Sequence, residues 1–227
     1  MRTGCFELTF LSNEISNTMI DVVDVMSTLA TQRKAYHSEA DFQHAFAWEI
    51  HSQFPKSSIR LERPLHTNGK KLHLDFLVQL RQGLVAVELK YKTRKLSVEV
   101  AGEAFNLASH SAQDIGRYDF IKDIIRLENI VSTLKNCDGH AILLTNDSAY
   151  WRPKPTGTVD EAFHLTDGRT LNGSMAWTEK ASDGTKKNRE TILKLSGTYS
   201  LNWHDFSIAS MEKYGQFRYL AVQVRKK

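Results

Sequence analysis

Two neighbouring stretches of alternating apolar and polar residues constrain the fold of this chain most. The segments LHLDFLVQL (residues 72–80) and LVAVELKYK (residues 84–92) are separated by Arg81-Gln82-Gly83. A period of two is typical of β-strands, and a short polar connection between two such runs is typical of a hairpin. We therefore predict an antiparallel hairpin with strands over residues 70–80 and 84–92.

The register of this hairpin follows from its apolar faces. A two-residue loop at Arg81-Gln82 pairs Phe76 with Val87, whereas a slip of one residue would put charge into the core. The same register places Asp75 opposite Glu88, with their Cβ atoms about 5 Å apart; a slip of two would leave them diagonal neighbours. Two facing carboxylates repel each other, and a divalent cation removes the conflict because Mg²⁺ binds through one or two carboxylates.

Two further side chains are predicted to lie near this pair of acids. Lys90 is on the same strand face as Glu88, about 7 Å farther along. A helix is predicted to begin after the N-cap Ser38 and to end at Pro55, and Glu39 lies on its inward apolar stripe. The alternative is a solvated hairpin face, since a Glu-x-Lys triplet occurs by chance about once in a chain of this length.

These residues carry a resemblance to a known family. A helix with Glu39, a strand with Asp75, a hairpin, and a strand ending in Glu88-Leu89-Lys90 resemble the PD-(D/E)xK nuclease superfamily, which has the restriction-endonuclease-like fold. The resemblance covers residues 38–145. It departs from the motif at one position, because Leu74 rather than Pro precedes Asp75.

The resemblance implies a Mg²⁺-dependent phosphodiester hydrolase, a deoxyribonuclease of restriction, phage defence, repair or mobile elements, with Mn²⁺ able to substitute. It implies that Asp75, Glu88 and the carbonyl of Leu89 hold the metal, with Glu39 as a further ligand. Lys90 would orient or deprotonate the metal-bound water, or neutralise the charge of the transition state. Gln113, on the following helix, is a further candidate site residue, and a homodimer is implied because double-strand cutters pair two sites. The alternatives are a non-catalytic nucleic-acid-binding module with the same fold and an interaction protein with a basic surface.

The distribution of charge agrees with a nucleic-acid partner. The chain has a net charge of +4, but residues 56–95 contain ten basic and three acidic residues, which leaves −3 for the remainder. A concentrated basic stretch is typical of polyanion binding, although a solvated basic face is the common alternative. The predicted phosphate contacts are Lys70, Lys71, Lys92, Arg94 and Lys95.

The remaining pattern predicts the domain organisation. We expect an N-terminal helical extension over residues 1–36 with a helix at 13–33, a nuclease-like core over 37–150, and a C-terminal β-rich elaboration over 151–227 packed on the core. Within the core, residues 103–134 are predicted to be mainly helical, in two pieces broken near 109–111, and residues 140–145 to be a buried strand. Residues 192–199 and 217–224 are predicted strands. The fold class is mixed α/β, with a central mixed sheet flanked by helices.

Composition limits the remaining classes of protein. The hydrophobic content of 41% and charged content of 25% are ordinary for a globular protein. The sequence contains neither a run of about 20 apolar residues nor the pattern of a signal peptide at its start. Cys5 and Cys137 are too few for a disulfide framework. These features predict a cytoplasmic protein with no membrane partner.

Overall fold

A computed structural model describes residues 19–67 and 70–226, with the backbone alone at residues 66, 67 and 70–72. The helices and strands follow in the order α1 (Val22–Gln32), α2 (Glu39–Gln53), β1 (Ser58–Thr67), β2 (Lys70–Gln79), β3 (Leu84–Lys92), β4 (Leu96–Val100), β5 (Glu103–Leu107), α3 (Gln113–Thr133), β6 (Cys137–Thr145), β7 (Thr170–Met175), α4 (Asp183–Lys186), β8 (Leu193–Ser200), β9 (Trp203–Ile208) and β10 (Gln216–Val224).

A central mixed sheet has the strand order β1-β2-β3-β6-β10-β9. Strands β3 and β6 are parallel, and every other neighbouring pair in this sheet is antiparallel. Helix α3 lies in the connection between the two parallel strands, as such a crossover requires. The predicted class, mixed α/β with a central mixed sheet flanked by helices, is confirmed.

The predicted hairpin register is confirmed where β2 and β3 pair. Phe76 lies opposite Val87, and the register continues to the loop without a slip. The N–H of Leu80 donates to the carbonyl of Gly83 at 2.9 Å and encloses the two-residue loop Arg81-Gln82. The match of apolar faces therefore sets the register, as expected when one face is buried.

The two faces of the sheet are covered by different elements. On one face, Val87 and Leu89 belong to a cluster with Phe42 and Phe46 of α2. On the other face, Ala86 belongs to a cluster built around α3. Because side chains alternate along a strand, Glu88 and Lys90 share the α3 face with Ala86. The polar side of β3 is thus covered by a helix.

One predicted helix is wrong at its start. Glu103–Leu107 is strand β5, paired with β4 through a turn at Ala101 and Gly102. Both turn residues have positive φ, 53° and 83°, which is the backbone that a two-residue hairpin turn requires. Phe105 is buried and its neighbours are exposed, a period of two that the helical interpretation overlooked. Helix α3 therefore begins only at residue 113.

The helix predicted at residues 13–33 begins later than expected. Residues 13–18 lie outside the described part of the chain, and 19–21 are not helical. Asp21 is the N-cap, and its carboxylate accepts the N–H of Val23 at 2.8 Å. The predicted cap of α2 is confirmed, since Ser38 Oγ accepts the N–H of Asp41 at 3.1 Å.

Residues beyond 150 both extend the sheet and cover α3. Strand β10 pairs with β6, and β9 forms the outer strand. The β7–β8 hairpin places Leu171 and Leu195 in the cluster around α3. The predicted strands at 192–199 and 217–224 are β8 and β10, whereas β7 and β9 were not predicted. Among the helices described, none has the length and apolarity to cross a membrane.

Candidate active site

Strands β2 and β3 separate at Asp75, which leaves β3 with an edge that no described strand pairs beyond that point, its open edge. Acidic side chains accept hydrogen bonds from the backbone N–H groups of this edge. Pairing ends at Phe76. Beyond it, the N–H of Leu89 donates to Asp75 Oδ2 at 2.7 Å. The N–H of Tyr91 donates to Glu39 Oε2, on the first residue of α2, at 2.8 Å. The two carboxylates therefore satisfy backbone N–H groups of β3 that β2 would have paired if it had continued alongside.

Glu88 is buried, with a relative exposure of 2%. Its Oε1 accepts a hydrogen bond from Arg126 at 2.8 Å, while its Oε2 is buried without a hydrogen-bond partner in the described part of the chain. Burial raises the pKa of Glu88 to about 8, the carboxylate of Asp123 adds to the rise, and Arg126 opposes it. A buried carboxylate oxygen without a partner calls for an explanation, and a bound ion is one.

Lys90 is held as a cation. Its Nζ lies 3.0 Å from Asp123 Oδ2 and donates to the carbonyl of Leu89 at 3.3 Å. Burial alone would lower the pKa of this ammonium, but the carboxylates of Asp123 and Asp75 outweigh burial and raise the pKa above its usual range. The side chain remains protonated and can offer hydrogen bonds and positive charge, not a free base.

Asp75 sits in the same electrostatic network. Burial raises the pKa of its carboxyl, while the hydrogen bond from the N–H of Leu89 and the charge of Lys90 lower it. The charges of Asp123 and Glu39 raise it further. Four acids and one lysine therefore interact at the point where β2 leaves β3.

Two residues of this network, Asp123 and Arg126, were not predicted. Asp123 is buried, and Arg126 Nη1 lies 3.4 Å from its Oδ1. Asp123 follows Phe120 by three residues and precedes Leu127 by four, and both of these are buried in α3. A carboxylate on the inward stripe of a helix was the available signal.

Gln113 lies apart from this network. It is the first residue of α3, and its Nε2 donates to Asp147 Oδ2 at 2.8 Å. It precedes Asp123 by ten residues, which is about 15 Å along a helix. The structure brings together Glu39, Asp75, Glu88 and Lys90, but it places Gln113 beyond the carboxyl ends of β3 and β6.

The predicted phosphate contacts whose side chains the structure describes lie at the end of β3. Lys92 and Arg94 are partly exposed and Lys95 is exposed. The side chains of Lys70 and Lys71 lie outside the described part of the structure. Three of the five predicted cations are therefore located, all at the end of β3.

The site can be tested for its fit to Mg²⁺. Across residues 19–67 and 70–226, no group of three or more His, Cys, Asp and Glu side chains is arranged to hold a metal ion. Mg²⁺ is, however, usually held by only one or two protein carboxylates. Asp75 and Glu88 supply two, and Glu88 Oε2 has no hydrogen-bond partner in the described part of the chain. A Mg²⁺ ion held by so few protein ligands keeps several of its waters.

No family model matches this chain, and neither a curated protein nor a solved structure matches it.

Proposed function

We propose that this protein is a metal-dependent nuclease that hydrolyses phosphodiester bonds in DNA. The observation that carries the proposal is the meeting of Glu39, Asp75, Glu88 and Lys90 at the open edge of β3. The helix, hairpin and Glu-x-Lys strand that supply these side chains occur in the order that the PD-(D/E)xK resemblance requires. They belong to a mixed sheet flanked by helices, which supports the restriction-endonuclease-like core.

Asp75 and Glu88, with the carbonyl of Leu89, would hold the metal, and Glu39 would support it from α2. When bound, Mg²⁺ or Mn²⁺ supplies Lewis acidity, which polarises a phosphoryl oxygen and makes water more acidic. In the structure described, Arg126 balances the charge of Glu88 through Oε1 and leaves Oε2 available.

Lys90 has the role of an electrostatic stabiliser. Because its ammonium is paired with Asp123, it would donate to the charge that develops on the phosphate rather than remove a proton from water. The carboxylate of Asp123, whose Oδ2 lies 3.0 Å from Lys90 Nζ, holds the ammonium of Lys90 in place. A held donor needs no reorganisation as the charge develops, which is the source of the rate gain.

One observation favours the non-catalytic nucleic-acid-binding alternative. Glu88 and Lys90 both have ion partners on α3, Arg126 and Asp123. These pairs would keep the two residues in place for structural reasons alone. The alternative requires nucleic-acid binding without cleavage in any metal, and this separates it from the enzyme.

The test is a cleavage panel of plasmid, single-stranded DNA and RNA in Mg²⁺, with chelator as the negative control. We expect Lys90→Met to lose about 10²–10³-fold in cleavage rate, the usual effect of removing one stabilising donor. Lys122→Met is the matched control, because Lys122 is exposed on α3 next to Asp123. Undiminished cleavage by Lys90→Met contradicts the role of Lys90, and a wild-type protein that binds DNA but cleaves nothing selects the alternative.

A further inference from the structure

A second charged surface lies beyond the carboxyl ends of the two parallel strands. A groove of about 360 Å³ is lined by residues that follow β3, residues that follow β6 and the loop before β10. Its cationic side chains are Arg94, Arg152, Lys154 and Lys213. None of these residues belongs to the network around Glu88.

The cations of this groove lack close ion pairs among the described residues, although the charges of Asp160, Asp147 and Asp114 act on Lys154. Within residues 19–67 and 70–226, none of the four cations forms an ion pair with a carboxylate. The one acidic residue that lines the groove, Asp147, is buried, and its two oxygens accept hydrogen bonds from Gln113 and from the N–H of Ala149. Like charges gathered without partners cost stability and are typical of an anion-binding surface.

Two features organise these cations. The ring of Tyr214 lies 5.3 Å from Arg94 Cζ and 5.0 Å from Lys213 Nζ, within the range of cation–π contacts. Tyr214 has a φ of 70°, and its carbonyl accepts a hydrogen bond from Asn146 at 2.9 Å. The same buried amide accepts the N–H of Arg94 at 2.7 Å, so Asn146 ties the loop before β10 to the end of β3.

The start of α3 adds to the positive potential. Gln113, its first residue, lines the groove, and the N-cap Ala112 supplies no side-chain cap. The N-terminus of a helix of 21 residues carries a partial positive charge directed at such a site. Asp114, in the first turn of α3, offsets part of this charge.

We propose that this groove binds phosphates of the nucleic-acid strand that is engaged at the candidate active site. The inference rests on the proposed function and assigns a role to residues beyond 150, which supply Arg152, Lys154 and Lys213. Arg94 follows Lys90 by four residues, so their Cα atoms are at most about 14 Å apart. A nucleic-acid backbone held at Lys90 would therefore reach the groove within a few phosphates.

The test measures the salt dependence of binding to a labelled DNA duplex by fluorescence anisotropy, with Ca²⁺ in place of Mg²⁺. Arg152→Ala/Lys213→Ala removes two exposed groove cations. Each lost phosphate contact reduces the log–log slope by about 0.9, so we expect the slope to become shallower by about 2. Lys180→Ala/Lys187→Ala is the matched control, because it removes the same charge from exposed positions outside the groove.

Equal slopes for the two double variants would overturn the groove proposal, and so would a groove variant that binds as steeply as wild type. The proposed function is tested separately, by cleavage in Mg²⁺ with the wild-type protein. A groove variant with a shallower slope supports the groove even where Lys90→Met retains cleavage, so the two failures are distinguishable. Thermal denaturation of both variants checks that the fold is intact.

Discussion

At the scale of single residues, Asp75 combines a backbone contact with a proposed metal contact. Its Oδ2 accepts the N–H of Leu89, and its charge would attract the cation. A ligand that binds only the folded state stabilises it by about 2.7 kcal/mol at a hundredfold excess over Kd. We therefore expect Mg²⁺ or Mn²⁺ to raise the Tm of the wild type and Asp75→Asn to reduce the shift, since Asn keeps an acceptor but loses the charge.

The measurement is thermal denaturation with and without the metal, after treatment with chelator. Asp183→Asn is the control, because Asp183 is exposed in α4 and remote in sequence from the site. Equal shifts in wild type and Asp75→Asn would argue against a metal at the open edge of β3.

The buried His140 of β6 should make the stability of the fold depend on pH. It is buried, its Nε2 lacks a partner in the described part of the chain, and burial with the nearby Arg225 lowers its pKa to about 4, while Asp21 opposes the shift. Between the unfolded pKa of about 6.5 and this value, the unfolded chain binds more protons. His140 therefore stabilises the fold above about pH 6.5, and this contribution, up to about 3 kcal/mol, is lost as the pH falls towards 4.

Urea unfolding at about pH 7 and about pH 5 measures this contribution. We expect His140→Leu to weaken the loss of stability on acidification, because Leu has no proton to gain. His44→Leu changes an exposed histidine of α2 and should retain the acid sensitivity of the wild type. The same acid sensitivity in His140→Leu would contradict the assignment.

At the scale of elements, local patterns predicted the strands of the β2–β3 hairpin but missed β5, β7 and β9. The bounds of β3 were predicted because its alternation and its loop are both local signals. Strand β5 was missed because Ala101 and Gly102 were not recognised as a turn. The inward position of Asp123 on α3 was a local signal that was overlooked. The contacts of Asp123 and Arg126 with β3 depend instead on how α3 crosses the sheet, which no local pattern encodes.

The turn between β4 and β5 gives a prediction at this scale. Gly102 has a φ of +83°, and no atom lies within 4 Å of the position that a Cβ would take, so substitution meets only backbone strain. We expect Gly102→Ala to lower the free energy of unfolding by about 1–2 kcal/mol, the cost of a left-handed residue with a Cβ. Gly184→Ala in α4, where the nearest atom is 3.8 Å away, is the matched control and should cost nothing. Equal effects in urea unfolding would exclude the strained turn.

At the scale of the whole molecule, residues before and after 150 share their apolar clusters. The cluster around α3 contains Ala86 together with Leu171 and Leu195, and the opposite cluster contains Val87 together with Phe217. The buried pair between Arg117 of α3 and Asp160 adds a polar contact between the two parts. Residues beyond 150 therefore pack into the same clusters as the residues before them.

We expect the chain to unfold as one cooperative unit. In Trp48→Phe, the remaining tryptophans, Trp151, Trp177 and Trp203, all lie beyond residue 150, so fluorescence reports on that part. Far-UV circular dichroism reports mainly on α1–α3. Coincident urea transitions by the two probes are the expected result, and separate midpoints would show that residues beyond 150 fold independently.

The hydrogen bonds of the acids at the open edge of β3 also limit how the sequences of related proteins can diverge. Asp75 and Glu39 accept the N–H groups of Leu89 and Tyr91, and only an acid or amide of similar length can do so. Under the proposed function, a descendant without hydrolytic activity should therefore keep these two positions for folding alone. Glu88 and Lys90 should instead change only together with their ion partners on α3, because loss of one member would leave the other buried and unpaired.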